Sequence, residues 1–160
     1  AEIAKECNRY ALLTKNTFKN TVIKESQIAS MEEFISNLEV LLNAMGYKVL
    51  VPVPKPTINT TYLYCKSGNA DGKGFISPGG FTVIEGSKVS DHLAPSFASG
   101  AKSYYELRSK LESDGTIVNG VFVRNFEFNA PSAASAVVLG RASNGKTDWK
   151  TEQGKKLNDL

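Results

Sequence analysis

Phe126 to Lys150 reads FEFNAPSAASAVVLGRASNGKTDWK. Pro131 stands where a first helical turn tolerates it, because the missing N–H has no partner there anyway. Ala133, Ala134, Ala136 and Val137 then give a helix face of small side chains, which can sit close against a sheet or a second helix. Gly140 follows where a left-handed residue should end that helix. Asn144-Gly145 is the strongest short turn signal of the chain, and Trp149, its only tryptophan, comes next in a short extended piece. No catalytic cluster lies in this stretch.

Working outward, the chain has 160 residues, enough for one ordinary core and an appendage. A hydrophobic fraction of 41% and a charged fraction of 22% are those of a globular protein and argue against disorder. No run of 18 apolar residues is present, so no membrane helix is expected. No secretory signal opens the chain. Cys7 and Cys65 belong to no motif and read as free thiols of a reducing compartment, which makes the cytoplasm the expected location. Two cysteines and the lone His92 cannot assemble an ordinary zinc site, so neither metal nor cofactor is expected. The net charge is +3. Between Arg141 and Lys156 five bases (Arg141, Lys146, Lys150, Lys155, Lys156) face two acids (Asp148, Glu152), a local +3 equal to that of the whole chain. Such a patch is either a nucleic-acid footprint or a solvated lysine-rich end.

Upstream, Ile3, Cys7 and Ala11 share one helical face, and a chain that opens mid-helix reads as a piece of a longer protein. Residues 9–15 read as a short strand or helix end, and 16–27 as a polar loop. Ser30-Met-Glu-Glu33 has the form of a capping box. Met31, Phe34, Ile35, Leu38, Leu41, Leu42 and Met45 follow as an apolar stripe, expected to pack in a core, and Gly46 ends the helix. Tyr47 to Val53 is β-rich, and Pro52, Pro54 and Pro56 then impose an extended linker. The expected organisation is a helical connecting segment over 1–52, a Pro-rich linker over 53–59 and a main domain over 60–160.

From Thr61 the period becomes two. Residues 61–66, 73–77 and 81–85 read as a meander of short strands, with turns at 67–72 and 78–80. Residues 89–100 read as a loop. Ser103-Tyr-Tyr-Glu106 is a second capping-box pattern opening a helix with Tyr104, Leu107 and Leu111 on one face, ended by Asp114-Gly115. Residues 116–118 and 121–128 are strand-like. The fold class is therefore α+β: a small antiparallel meander packed by two or three helices, with an N-terminal helical appendage.

Gly80-Phe-Thr-Val-Ile-Glu-Gly-Ser87, Leu107 to Gly115, Phe128-Asn-Ala-Pro-Ser-Ala-Ala134, Val138-Leu-Gly140, Asn144-Gly145, Trp149-Lys150 and Gly154, in this order, resemble a bacterial domain of unknown function. That domain follows GIY-YIG endonuclease modules of the excinuclease-C-like type and also occurs near restriction-modification components. The resemblance covers about residues 62–160. The segment 2–16 with Met31 to Ile35 and Leu41 to Gly46 is similar to the piece joining module to domain. No GIY or YIG string occurs, and no catalytic residue is carried over. The family's usual Ser before the Pro is Ala130 here, leaving Asn129 as the alternative helix cap. A looser similarity, Pro-Ser-Ala-Ala with a later Asn-Gly and Trp, links the chain to domains beside adenine methylases.

The expected role is a non-catalytic accessory domain of a GIY-YIG nuclease-family protein that assists DNA binding. Arg141, Lys146 and Lys150 would contact phosphates and Trp149 would stack on a base. On duplex DNA these three contacts, with up to two more from Lys155 and Lys156, predict a log–log salt slope of roughly −3 to −4. The structural alternatives are that Trp149 is a core or rim hydrophobe and Arg141 a helix C-terminal charge. The competing role is a protein-interaction or dimerisation module, with the upstream nuclease module or a second copy as partner. No paired carboxylates, nucleophile–base set or phosphate loop points to an independent enzyme.

Overall fold

The computed structural model describes residues 2–7, 9, 24–57 and 59–160. In chain order the elements are α1 (Glu2–Cys7), α2 (Glu25–Ala44), β1 (Leu63–Ser67), β2 (Ala70–Ser77), β3 (Gly80–Val83), α3 (Phe97–Gly100) and α4 (Lys102–Ser113). They continue with β4 (Ile117–Val118), β5 (Val121–Phe122), β6 (Phe126–Phe128), α5 (Pro131–Leu139), α6 (Gly145–Asp148) and a 3₁₀ turn at Leu157–Asp159. The fold is α+β, with an antiparallel sheet in the order β1-β2-β3-β6 and a separate β4-β5 hairpin. The chain divides into two compact units, Ala1–Pro52 and Val53–Leu160.

In the second unit α5 lies against β1, β2, β3 and β6 and also touches α4 and α6. Every residue from Ala133 to Leu139 is buried, as expected of a helix that is apolar all round. Its small side chains permit the close approach. Gly72 on β2 leaves no room for a side chain: a Cβ there would stand 2.9 Å from Val138 and 3.2 Å from Trp149. Leu63, Cys65, Phe81, Val83, Phe128 and Leu111 complete the core.

Pro131 opens α5 and Gly140, at φ 65°, closes it. The N-cap is Ala130, with no side-chain bond, so Asn129 does not serve as the cap. The buried C-terminal end has carbonyls that must find donors. Ser90 N–H donates to the Val138 carbonyl at 2.7 Å. The guanidinium of Arg108, a residue only 5% exposed, donates to the Val137 carbonyl at 3.2 Å and the Ser90 carbonyl at 2.6 Å. Arg108 on α4 thus takes the dipole-complementing place that the sequence suggested for Arg141.

Several local expectations give way to tertiary context. The Ser103 box does not cap α4; Ala101 does, without a side-chain bond. The tight turn at Asn119-Gly120, with φ of 51° and 75°, makes the β4–β5 hairpin. The expected strand over 121–128 is broken into β5 and β6, and the expected loop over 89–100 contains α3, whose Phe97 is buried.

Cys65 faces inward on β1, and both Cys7 and Cys65 are free and buried. Burial first, and the Asp148 carboxylate second, push the Cys65 thiol from 9.0 up to about 12. The folded thiol holds its proton where the unfolded one loses it. That stability is full below pH 9 and is lost as pH rises towards 12. Between pH 8 and pH 10 the wild type should lose about 1.4 kcal/mol more than Cys65→Ala, measured as the change with pH in urea-unfolding free energy.

In the first unit α2 begins at Glu25, five residues before the Ser30 box, with Lys24 as N-cap and no side-chain cap bond. Residues 25–27 are therefore helical rather than loop. α2 has no buried residue, and Phe34, Leu41 and Met45 are 62%, 63% and 70% exposed. The stripe expected to pack in a core does not do so. Tyr47 and Lys48 have no regular structure and residues 49–51 form a turn and a bend, so no strand forms there. Arg9 holds the Val51 and Pro52 carbonyls at 3.0 and 3.1 Å. Residues 52–57 have no regular structure, and Val53 is buried. The readings made for residues 10–23 lie outside the described residues.

Candidate nucleic-acid interface

Chain alternation on β1 sends Leu63 and Cys65 to the core and leaves Tyr62, Tyr64 and Lys66 on the opposite face. Antiparallel pairing carries that face across the sheet, since directly paired residues share a side. Tyr64 pairs with Lys73 on β2. On its other edge Tyr64 pairs with Lys150, exchanging hydrogen bonds of 2.7 and 2.9 Å, and Lys150 bridges Lys156. The result is a row across the sheet edge: Lys156, Lys150, Tyr64, Lys73. Neighbouring strands lie about 4.8 Å apart, so Lys150 and Lys73 flank the tyrosine at roughly 10 Å from one another.

The Lys73 ammonium sits 4.0 Å over the Tyr62 ring and 5.7 Å from the Tyr64 ring, and Lys66 is 5.9 Å from the latter. Lys66 is tied to Asp71 at 3.0 Å, an exposed pair of little net effect on stability. Among the described residues no ion pair engages Lys73, Lys150 or Lys156. Like charges directly opposite one another, as Lys150 and Lys156 are, destabilise a sheet. An anionic strand laid across the row would relieve that repulsion.

Beside the row is a groove of about 380 Å³, lined by Tyr64, Lys66, Asp148, Lys150, Thr151, Glu152 and Gly154. Of these, Asp148 is already engaged. Its carboxylate accepts from the Ser143 hydroxyl at 2.6 Å and the Asn144 N–H at 3.2 Å, and pairs with Arg141 at 3.8 Å.

The sequence-predicted site residues separate. Lys150 belongs to the row. Arg141 is half-exposed and held by Asp148. Lys146 is exposed in α6, and its own N–H is capped by the Asn144 side chain at 3.1 Å. Asn144-Gly145 is thus a helix start, not a hairpin turn. Trp149 is fully buried: its ring lies 4.4 Å from Phe81, and its indole N–H donates to the Pro131 carbonyl at 3.0 Å. It has no free face for a base to stack on. Tyr62, Tyr64, Lys66 and Lys73 were missed. The sequence signal for them is the alternation of aromatic and basic residues over Tyr62, Tyr64 and Lys66, which strand periodicity alone also produces.

Among the described residues no group of three His, Cys, Asp or Glu could hold a metal ion, and no helix is long and apolar enough to cross a membrane. A family model described as a domain of unknown function, DUF4357, matches residues 63–160. No curated protein and no solved structure matches the chain.

Proposed function

The chain belongs to the DUF4357 domain family, and from that premise we propose that it is a non-catalytic accessory domain that holds nucleic acid on the Tyr64 face. The observation that carries the reading is the row of Lys73, Lys150 and Lys156 around a half-exposed tyrosine. Cations without carboxylate partners supply sequence-independent affinity for phosphates, and an aromatic ring among them offers a stacking platform for an unpaired base. The resemblance over residues 62–160 supports a setting beside a GIY-YIG nuclease module in a bacterial cytoplasm, in proteins allied to restriction-modification, where such a domain would position the nuclease on DNA.

Fluorescence anisotropy across a salt series tests this. With three to four lysines engaged, the slope of log affinity against log salt on a single strand should be roughly −2 to −3. Replacing Lys73, Lys150 and Lys156 together with Ala should bring it to between zero and about −0.7. Tyr64→Ala should weaken single-strand binding about fivefold or more. Arg141→Ala and Lys146→Ala should change it much less. An absence of binding at low salt sinks the proposal.

A second reading, self-association through α2, rests on the exposed Phe34, Leu41 and Met45. Ile28, Met31, Ile35, Leu38, Leu42 and Met45 also follow the alternating three- and four-residue spacing of a helix–helix seam. A sedimentation mass that climbs with protein concentration favours it.

A further inference from the structure

The groove beside Tyr64 holds one carboxylate with no work inside the fold. Lys66 is occupied by Asp71, and Asp148 by Ser143, Asn144 and Arg141. Among the described residues that leaves Lys150 and Glu152 as the unpaired charges of the groove, one of each sign. A purely phosphate-binding surface has no use for the acid, which repels the backbone it faces. A site that takes a base has one, because a carboxylate accepts hydrogen bonds from amino groups on a base edge. The volume of about 380 Å³ lies at the small end of ligand sites, and Gly154 adds no side chain to the wall.

We infer that this groove takes one unstacked base of a single strand, with Tyr64 against its face, Lys150 on its phosphate and Glu152 on its edge. The inference rests on the nucleic-acid reading above and adds a preference to it. Cytosine and adenine offer an amino group to Glu152. Thymine has a carbonyl oxygen where cytosine carries its amino group, so its single edge donor, N3–H, lies between two oxygens that repel a carboxylate. A strand fits better than a free nucleotide, because Lys73 and Lys156 continue the row beyond the groove lining.

The test compares binding of labelled (dC)12, (dA)12 and (dT)12 to the full chain and to Glu152→Gln at one low salt concentration, with dCMP as competitor. Glu152 is exposed, so the substitution leaves the fold intact. The wild type should bind (dC)12 and (dA)12 about fivefold or more tighter than (dT)12. Glu152→Gln should narrow the ratio to about twofold or less, because an amide both donates and accepts. Equal affinities in the wild type, or an unchanged ratio in Glu152→Gln, overturn the inference while leaving the proposed function standing if the lysine variants still weaken binding. Competition by dCMP at the concentration effective for the oligomer overturns the strand assignment. No binding of any oligomer overturns both.

Discussion

Trp149→Ala is expected to destabilise the 53–160 unit by about 3–5 kcal/mol. The side chain is fully buried against Phe81, lies so close to Gly72 that a Cβ there would stand 3.2 Å from it, and donates its indole N–H to the Pro131 carbonyl. Truncation removes the largest buried apolar surface of the core and leaves a cavity that the rigid β1–β2 pair and α5 cannot close. Against a total stability of about 5–15 kcal/mol, a loss of this size brings the unit close to unfolding, and the melting temperature should fall by more than 10 °C, at roughly 4 °C per kcal/mol. Trp149→Phe keeps most of the burial and loses mainly one hydrogen bond, a cost of about 1 kcal/mol. Thermal melts of the two variants separate a core role from a surface one. If Trp149→Ala melts within a few degrees of the wild type, the tryptophan is not structural.

Gly145→Ala should cost about 3 kcal/mol or more, at the upper end for an overpacked site. The constraint is not a left-handed backbone. A Cβ at Gly145 would overlap the Pro131 carbonyl carbon and the Ser132 nitrogen and stand 2.5 Å from the Pro131 oxygen. All three are backbone atoms that cannot rotate aside. α6 would have to lift from the start of α5, breaking the bond from Gly145 N–H to the Ser132 hydroxyl at 3.1 Å and drawing Trp149 out of its seat. Ser132→Ala removes that bond without the clash and should cost only about 1 kcal/mol. Gly154→Ala, whose Cβ would enter open space at φ 83°, should pay only local strain, about 1–2 kcal/mol. Urea denaturation of the three variants should rank Gly145→Ala lowest. A Gly145→Ala protein as stable as Ser132→Ala would contradict the close α5–α6 packing.

These two residues show what could and could not be read from the chain. The bounds of α5 were legible because Pro131 and Gly140 act locally, through a missing donor and a left-handed φ. The β1–β2–β3 meander was legible because side-chain alternation has a fixed period. Asn144-Gly145 misled, because the same two residues that favour a hairpin turn also start a helix, and contact with Pro131 and Ser132 decided between them. Ser30 and Ser103 misled in the same way: the box pattern occurs inside α2 and one residue past the α4 start, where the cap is already set. The row through Tyr64 was hidden because its members are drawn together by pairing across 9 residues to Lys73 and 86 to Lys150. The charge run at 141–156 was visible, but Asp148 removes Arg141 from it, and burial removes Trp149. Only Lys150 passes from the expected site into the observed row.

A backbone-amide NMR titration with a single-stranded oligonucleotide at low salt tests the central claim most directly. The account predicts shifts concentrated at Tyr62, Tyr64, Lys66, Lys73, Lys150 and Glu152, with the Trp149 indole N–H unmoved and α2 silent. An unchanged spectrum, or shifts gathered on α2 or around Arg141 and Lys146, would contradict it.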